Sequence, residues 1–496
     1  MKVAIYSTHI LWPTHFETDL EIIENHLLKN DEVFFYACNG ELKHCELIFE
    51  NAEYTKAEYA ALQQAFCEKC IAKRHAGLNL LTHKNYKVLP VLPASKSLSH
   101  QPEFDASHYL QNHEVFKTLT YKNFDIGWAM LSSFISLTQN PNIVLADYEK
   151  EIRTNFYDCI NIYENAVAEI QEKKYDRVYV FNGRLSYTKA IFRAAQSCNV
   201  DCYIIERGAT TNKYSLFVNH TIHNIEKFKE NAVIAWNENK DLVEKEKIAN
   251  QFYINRRNGI VGSWHSMTDL QKEGHLPKGW SKQNKNIVFF TSSDDEFASI
   301  DDSWKNPYFE TQLDAIKYVK QIVEQESFKG WQLYVRVHPN AQRLGEAYFN
   351  KIKDLESDNV KIIEPTSPIS SYALIDDCDV VMSVGSTIAY EAVYAGKYTI
   401  QLGKSLYYNF QGPINPYKKE DIEKLLIDKK AITPPQDIFI LGYFMMTYGI
   451  DYKFYKADDY INGSFKNVDL NNLENQPNTS TLQKIKSKIK SSLWKA

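Results

Sequence analysis

Two short polar runs carry candidate chemistry in the C-terminal half of the chain. One is His338-Pro339 and the other is Gly385-Ser386-Thr387. A His that follows a strand can donate to a phosphate or a leaving group, and the following Pro fixes the turn. Ser and Thr after a Gly at a helix start add hydroxyls to backbone N–H groups, where the helix dipole favours a phosphate. The two runs predict a pocket for an activated, phosphate-bearing donor.

Two carboxylates and another serine extend this predicted pocket. Glu364 follows a further apolar stretch, Ser383 closes the stretch before the Gly-Ser-Thr run, and Glu391 lies one helical turn beyond it. Glu391 therefore shares a helix face with the run and can reach a ribose. Taken separately, such residues are more often helix caps or solvated side chains, so the prediction depends on their ordered combination.

The elements around these residues predict a parallel sheet wound with helices. Between residues 331 and 402, short apolar stretches alternate with polar turns and helical patterns; they include Val360–Ile363, Asp379–Ser383 and Tyr398–Leu402. Ligands of such sheets bind beyond the carboxyl ends of the strands. We therefore expect the polar residues named above to line one crevice.

The N-terminal half begins with the same type of pattern. Lys2–Ser7 alternates as a strand does and leads into a loop that carries His15 and Glu17. Either side chain can serve as a general base for an acceptor hydroxyl once its surroundings tune its pKa. The alternative for both residues is a role in N-capping and packing.

A second β-α-β unit in this half ends its strands in polar groups. The groups are Asn182 and Arg184 after one apolar stretch, and Glu206 and Arg207 after the next. Asn182 and Arg184 are predicted to help bind the donor, and Glu206 is a candidate catalytic group. The predicted fold class is α/β, with two Rossmann-like domains that face each other across a cleft, as suits a two-substrate transferase.

Half of the eight cysteines lie close together in the sequence, at Cys38, Cys45, Cys67 and Cys70. The last two form a C-x2-C turn, which can place two thiolates on one tetrahedral ion, and the first two could complete a structural zinc site. His75 is a spare candidate ligand. The alternative is four small buried apolar side chains, since free cysteines often pack in this way.

Composition and length limit the class of protein. The chain has 496 residues, 44% of them apolar and 24% charged, and a net charge of −5, which argues against a general nucleic-acid binder. No run of 18 apolar residues is present, and the start does not match a signal peptide, so we expect a cytoplasmic location. We predict an N-terminal acceptor domain over 1–275, a nucleotide-sugar donor domain over 286–440 and a return segment over 441–465.

The end of the chain, 466–496, is predicted to be a polar linker followed by a basic amphipathic helix. In the stretch 481–496, apolar side chains and a Trp share one helical face, and five lysines occupy much of the remainder. A helix of this kind suits an anionic membrane surface. The alternatives are a disordered basic tail and a helix docked on the protein.

These motifs resemble a known family over residues 175–405. The order His338-Pro339, then Glu364-Pro365, then the stretch from Ser383 to Gly396 is similar to the donor domain of GT-B glycosyltransferases. It most resembles bacterial capsule and surface-polysaccharide biosynthesis proteins, including Kdo transferases. The usual Gly-rich first loop is absent here.

The resemblance implies roles for particular residues. His338 and the pair Ser386-Thr387 would contact the nucleotide phosphate, and an acidic residue of the first domain, Glu206 or Glu17, would be catalytic. It also implies no cofactor for catalysis beyond the donor itself.

Three functions remain open at this point. The first is a metal-independent glycosyltransferase that moves a sugar, preferably a CMP-linked ulosonic acid such as Kdo, to a growing bacterial capsule or lipopolysaccharide. Its partners would be a nucleotide-sugar donor, a lipid-linked or oligosaccharide acceptor, and the inner face of the cytoplasmic membrane. The second is a CDP-glycerol-type glycerophosphotransferase or a nucleotide-sugar 2-epimerase. The third is a non-catalytic scaffold of glycan assembly.

Overall fold

The computed structural model describes residues 1–48, 56–93, 102–260, 262, 270–344 and 346–472. The predicted basic helix at 481–496 and most of the predicted polar linker lie outside these residues. Within them, no helix is both long enough and apolar enough to cross a bilayer.

The strands alternate with helices through most of the chain. They are β1 (Lys2–Ser7), β2 (Glu32–Ala37), β3 (Tyr86–Pro90), β4 (Arg177–Phe181), β5 (Asp201–Arg207), β6 (Lys213–Val218), β7 (Lys285–Phe290), β8 (Trp331–Arg336), β9 (Val360–Ile363), β10 (Val380–Ser383), β11 (Thr399–Gln401), β12 (Ile450–Asp451), β13 (Tyr455–Ala457) and β14 (Gly463–Phe465).

The helices of the first 260 residues are α1 (His15–Leu27), α2 (Lys56–Asn79), α3 (Ala106–Tyr109), α4 (His113–Lys117), α5 (Ile126–Thr138), α6 (Glu149–Lys173), α7 (Ser186–Ser197), α8 (Ile225–Glu238) and α9 (Leu242–Arg257). The later helices are α10 (Asp294–Ala298), α11 (Gln312–Val323), α12 (Glu346–Lys353), α13 (Ser371–Asp377), α14 (Ile388–Tyr394), α15 (Asp421–Ile427) and α16 (Gln436–Thr447). Short 3-10 helices occupy Leu145–Tyr148, Asp302–Trp304, Glu326–Phe328 and Pro339–Leu344.

The chain divides into two compact units, but not at the predicted boundary. Unit 1 comprises Met1–Ile222 together with the chain from Gly449 onward, and unit 2 is His223–Tyr448. We placed the boundary near 275, whereas α8 and α9 belong to unit 2. The reason is their packing on α16: the Phe228 ring lies 5.1 Å from that of Phe444.

Unit 1 is built on a seven-stranded sheet in the order β12-β6-β5-β4-β1-β2-β3. The pairs from β5 to β3 are parallel, whereas β6 runs antiparallel to both β5 and β12. Val3 and Ile5 of β1 pack with Leu20 and Ile23 of α1 in an apolar core. A central strand covered on both faces must be apolar throughout, which explains the continuous run of buried residues in β1.

The returning segment after Gly449 is fastened to unit 1 by a buried carboxylate. Ile450 pairs with Tyr214 at the sheet edge. Glu21 on α1 then accepts hydrogen bonds from the backbone N–H groups of residues 453, 454 and 455 at 2.9, 2.9 and 3.1 Å. Three N–H donors compensate the desolvation of this fully buried side chain. The chain thus rejoins unit 1 at Gly449, whereas the return segment was expected over 441–465, which stays a prediction.

Unit 2 is built on a five-stranded, wholly parallel sheet in the order β11-β10-β7-β8-β9. Each face of the sheet has its own core. One contains Ile287, Phe289 and Leu333, and the other contains Val288 and Tyr334. The alternation along β7 follows the two-residue period of a strand.

Both sheets share the strand order of a Rossmann-like fold. In each sheet, the second and third strands in chain order lie on one side of the first strand, and the fourth and fifth lie on the other side. The direction of winding therefore reverses at a switch point, which lies between β1 and β4 in unit 1 and between β7 and β10 in unit 2. The predicted α/β class with two Rossmann-like domains is confirmed. That the domains face each other across a cleft stays a prediction.

Candidate functional sites at the two switch points

In unit 2, the loops after β7, β8 and β10 meet at the switch point. The backbone N–H of His338 donates to Oγ1 of Thr291 at 2.8 Å, which joins the ends of β8 and β7. The β10 loop approaches at Gly385, where a Cβ atom would lie 2.5 Å from the Lys404 carbonyl oxygen and 3.0 Å from the Phe297 ring. The φ of Gly385 is 138°, so both space and backbone conformation require glycine there.

The hydroxyls of this loop cap its own backbone. Ser383 is fully buried, and its Oγ accepts from the N–H groups of Gly385 and Ser386 at 3.4 and 3.2 Å. The Oγ of Ser386 accepts from the N–H of Ile388 at 3.4 Å. Helix α14 is also only seven residues long. The N–H groups of Gly385, Ser386 and Ile388 are therefore already hydrogen-bonded, and the hydroxyls of Ser386 and Thr387 become the main candidate donors.

His338 has a defined orientation at the end of β8. Its Nδ1 accepts a hydrogen bond from the backbone N–H of Asn340 at 3.2 Å. An accepting Nδ1 carries no proton, so the neutral imidazole carries its proton on Nε2. Pro339 begins a 3-10 helix, where its fixed φ is favourable. The ring is thus arranged to donate from Nε2.

The carboxylate of Glu391, predicted to contact a ribose, already has partners within the protein. The side chain is buried; Tyr372 donates to Oε2 at 2.5 Å and Arg256 Nε donates to Oε1 at 3.3 Å. Arg256 Nη2 also lies 3.4 Å from Oγ1 of Thr387. Glu391 therefore holds a guanidinium against the β10 loop, and sequence reasoning missed Arg256 because it lies in a charged helix 135 residues away.

Glu364 lies away from the switch point. It follows β9, the edge strand, and β8 and β7 lie between that strand and β10. At about 4.8 Å per strand, the ends of β9 and β10 are roughly 14 Å apart. The Glu364 carboxylate is 54% exposed and lies 3.5 Å from Lys353 Nζ. The loops that carry His338, Ser386 and Thr387 thus lie at one switch point, whereas Glu364 lies away from it, and the single crevice stays a prediction.

In unit 1, the strongest acid–base candidate is Glu206 at the end of β5. Asn182, at the end of the neighbouring β4, donates from Nδ2 to Oε1 of Glu206 at 2.8 Å. Burial raises the pKa of Glu206 to about 7, although the hydrogen bond from Asn182 and the nearby charges of Arg184 and Arg207 act to lower it. A carboxyl group with this pKa exchanges protons readily near neutral pH.

Arg184 is oriented by serines of α5. Its Nη1 donates to Oγ of Ser132 at 2.8 Å and lies 3.4 Å from Oγ of Ser136. The backbone N–H of Arg184 also donates to Oδ1 of Asn182 at 3.1 Å, and Asn182 has a φ of 61°. The predicted set Asn182, Arg184 and Glu206 is thus brought together.

Glu17 is not arranged as a general base. It is buried in the first turn of α1, with Oε1 2.8 Å from Nζ of Lys73, which is itself buried. This buried ion pair holds α1 against α2, because Glu17 lies on α1 and Lys73 on α2. Neither carboxylate oxygen of Glu17 makes a capping hydrogen bond among the described residues, so of the alternative roles only packing fits its position.

His15, the other candidate of this loop, belongs to an aromatic group. Its ring centroid lies 3.6 Å from that of Phe181 and 6.0 Å from that of Trp12. Burial, with the charge of Arg207, holds the pKa of His15 well below its usual range. A neutral imidazole in an aromatic group offers a flat apolar surface, which suits the C–H face of a sugar.

Two polar groups near the end of β1 were missed from the sequence. His9 lies 2.9 Å from Oε2 of Glu46 and 2.7 Å from Oγ1 of Thr8. Asp19 accepts a hydrogen bond from the hydroxyl of Ser7, and burial raises the pKa of Asp19 to about 8. The signal that could have found them is their position, since His9 follows the first strand closely and Asp19 lies in the helix that comes next.

The four cysteines of the predicted zinc site are free cysteines in this structure. Burial raises the pKa of both Cys38 and Cys45 to about 12, and it also raises that of Cys67 and Cys70. Zinc binds thiolates. Within the described ranges, no group of three or more His, Cys, Asp or Glu side chains has the arrangement of a metal site. The structure gives the zinc site no support, and the site stays a prediction.

Comparison with known proteins yields structural matches only. No protein-family model matches the chain, and no curated protein matches its sequence. Among solved structures, a β-Kdo 2,4-transferase of KpsC from Thermosulfurimonas dismutans matches with 16% identity, 54% coverage of this chain, 79% of that chain and a TM-score of 0.36. A β-Kdo 2,7-transferase of KpsC from the same organism matches with 17% identity, 56% and 80% coverage and a TM-score of 0.34.

A second group of matches covers more of the chain. The UDP-GlcNAc 2-epimerase from Neisseria meningitidis, solved with UDP-GlcNAc bound, has 13% identity, covers 90% of this chain and 94% of its own, and has a TM-score of 0.26. The resemblance to Kdo transferases that the sequence motifs indicate recurs among the structural matches. At these identities and TM-scores the matches do not assign the chain to a family.

Proposed function

We propose that this protein is a glycosyltransferase that takes a sugar from a nucleotide-activated donor. The observation that carries the proposal is Glu206, a carboxyl group at a Rossmann-type strand end whose pKa burial raises to about 7. The ordered polar groups at the second switch point, in unit 2, support a site for the nucleotide.

Unit 1 would supply the acid–base step. The oxygen of an acceptor hydroxyl attacks the anomeric carbon of the donor sugar, and the bond from that carbon to the phosphate oxygen breaks. The leaving phosphate keeps the electron pair, and the hydroxyl proton goes to the carboxylate of Glu206. Asn182 would hold the carboxylate in position through its 2.8 Å hydrogen bond.

Unit 2 would bind the nucleotide and stabilise the leaving phosphate. The Nε2–H of His338 and the hydroxyls of Ser386 and Thr387 are donors at the ends of β8 and β10. Arg256, which Glu391 holds near Thr387, adds positive charge. Donors that are fixed before the reaction stabilise charge as it develops on the leaving group.

The preferred donor is a CMP-linked ulosonic acid such as Kdo, and the preferred acceptor is a growing capsule or lipopolysaccharide glycan. The motif resemblance supports both choices. The lysine-rich pattern of 481–496 supports attachment to the inner face of the cytoplasmic membrane. No metal takes part in the proposed chemistry.

The test is transfer by the purified full-length protein with CMP-Kdo, UDP-GlcNAc, a GDP-sugar and CDP-glycerol, each with and without glycan acceptors. We expect a new glycosidic product from CMP-Kdo, and at least a hundredfold loss of rate in Glu206→Gln and His338→Ala. Full activity of His338→Ala would remove its assigned role. Conversion of UDP-GlcNAc without an acceptor would identify a 2-epimerase instead, glycerol phosphate transfer would indicate the CDP-glycerol reaction, and tight nucleotide binding without turnover would favour a scaffold.

A further inference from the structure

Arg207, next to Glu206 in β5, has an unusual environment. Its guanidinium carbon lies 3.7 Å from the centre of the Tyr460 ring. Its Nη1 is inaccessible to solvent, yet it has no hydrogen-bond partner in the part of the chain that the structure describes. A buried charged donor left without a partner is costly, so such a group indicates a ligand.

The neighbouring acids do not neutralise Arg207. No ion pair joins Arg207 to any carboxylate among the described residues. Glu206 is hydrogen-bonded to Asn182, and Glu17 is paired with Lys73. Arg207 therefore has no direct ion-pair partner among these residues, although its charge acts on Glu206 and contributes to the lowered pKa of His15.

The partner ring belongs to a hydrogen-bonded turn. Tyr460 lies between β13 and β14, where the Asp459 carboxylate accepts from the N–H groups of Ile461 and Asn462 at 2.7 Å each, and from Nδ2 of Asn462 at 2.7 Å. Because Tyr460 covers one face of the guanidinium, the N–H groups on its edge remain the binding surface.

The surroundings also fit a sugar. Burial raises the pKa of the phenols of Tyr452 and Tyr455, and the charge of Arg207 acts in the opposite direction on both. These two rings therefore lie close enough to Arg207 to feel its charge. The His15 ring, which lies tilted against Phe181, is affected in the same way. A cation among aromatic rings can bind an acidic group while the rings contact C–H surfaces.

We infer that Arg207 and Tyr460 form an oxoanion-binding site in unit 1, which takes the carboxylate of an acidic sugar or a phosphate of the substrate. A planar guanidinium can donate two parallel hydrogen bonds to either group. The assignment of the anion to a substrate rests on the proposed function, whereas the binding of an oxoanion does not.

The test measures the binding of small probes to the full-length protein by ligand-observed NMR titration. The probes are free Kdo as the carboxylate, inorganic phosphate, and galactose as a neutral sugar. We expect Arg207→Gln to weaken binding of the favoured anion about tenfold or more, and Arg207→Lys to weaken it less, because Lys keeps the charge but loses the fork. A preference for Kdo identifies a carboxylate site, and a preference for phosphate identifies a phosphate site.

The matched control is Arg177→Gln. Arg177 also lies over a tyrosine, 4.9 Å from the Tyr203 ring, but at the opposite end of the same sheet, and its loss should leave binding unchanged. Tyr460→Leu should weaken binding without removing the charge. Circular dichroism and thermal unfolding of each variant confirm that it is folded.

Equal binding by the wild type and Arg207→Gln, equal loss in the Arg177 control, or no preference for either anion over galactose would overturn the inference. Because the measurement needs no turnover, anion binding that depends on Arg207 in a protein without transferase activity would contradict the proposed function alone.

Discussion

Nδ2 of Asn182 lies 2.8 Å from Oε1 of Glu206, and this hydrogen bond joins the ends of two adjacent parallel strands. An amide donor favours the charged form of a carboxyl group, whereas burial favours the neutral form. The two effects oppose each other at Glu206, and burial prevails, which leaves its pKa at about 7.

Asn182→Gly should raise the pKa of Glu206 further, by up to about one unit, because it removes the donor to the carboxylate. Glycine tolerates the φ of 61° at this position. A ¹³C NMR titration of the Glu carboxyl groups measures the shift directly, and the acidic limb of the pH–rate profile should move to higher pH. Asn199→Gly is the matched control, since Asn199 has a φ of 54° and lies away from Glu206. An unchanged or lower pKa in Asn182→Gly would contradict the assignment.

Asp19→Asn should make stability less dependent on pH. Burial raises the pKa of Asp19 to about 8, so the folded state keeps a proton that the unfolded state loses near pH 4. This contribution to stability is complete below pH 4 and is lost as the pH rises to about 8, at up to about 1.4 kcal/mol per pH unit. In urea unfolding at pH 5, 7 and 8.5, the free energy of unfolding of the variant should therefore increase relative to that of the wild type as the pH rises.

Asp31→Asn provides the opposite case for the same measurement. Although burial acts to raise the pKa of Asp31, hydrogen bonds from His26 and the terminal ammonium lower it. Its contribution is present above pH 4 and disappears as the pH falls through the folded pKa. Asp31→Asn should thus be destabilised at pH 7 and approach the wild type in acid. If the difference in unfolding free energy between variant and wild type changed with pH in the same direction for both aspartates, the opposite pKa shifts assigned to them would be wrong.

Gly385→Ala should destabilise unit 2 by about 2–4 kcal/mol, since the added Cβ meets a carbonyl oxygen at 2.5 Å and the φ of 138° strains any L-residue. Gly396→Ala is the matched control, because it also has a positive φ, 76°, but nothing lies within 4 Å of the added atom. It should cost only about 1 kcal/mol. Urea midpoints compare the two variants, and an equal loss would show that the close approach to Lys404 is unimportant.

Tyr372→Phe should cost about 1.5–3 kcal/mol, since its hydroxyl donates to the buried carboxylate of Glu391. Tyr394→Phe removes a hydroxyl that donates to the neutral Oδ1 of Asn250 at 2.8 Å, and should cost about 0.5–1.5 kcal/mol. Denaturant unfolding gives both values. If Glu391 instead served chiefly as a ribose ligand, Tyr372→Phe would weaken nucleotide binding without the larger loss of stability.

The sequence predicts the positions of the strands along the chain better than it predicts which strands lie side by side in the sheet. The apolar runs at β8 to β11 and the polar residues after them were identified because a buried parallel strand needs both features. The insertion of β7 between β8 and β10 could not be read from that stretch, because strand order is set by long-range pairing. This is why Glu364 was assigned to the same crevice.

The same distinction explains the site residues. Asn182 and Glu206 were found because each follows an apolar strand, and parallel strand ends meet at one edge. Arg256 and Tyr460 were missed because their partners are 135 and 253 residues away in the chain. Glu17 was assigned to catalysis because its pairing with Lys73 is not visible as a local pattern.

Unit 1 is made of two stretches of chain separated by the whole of unit 2. During synthesis, α1 emerges from the ribosome more than 400 residues before the segment that supplies three N–H donors to Glu21. We infer that unit 2 can fold while unit 1 is still incomplete, with an open edge at β6 and a buried carboxylate awaiting its partners. A nascent chain that stops before residue 449 would then contain a folded unit 2 and an incompletely folded unit 1, which is the kind of chain that chaperones bind.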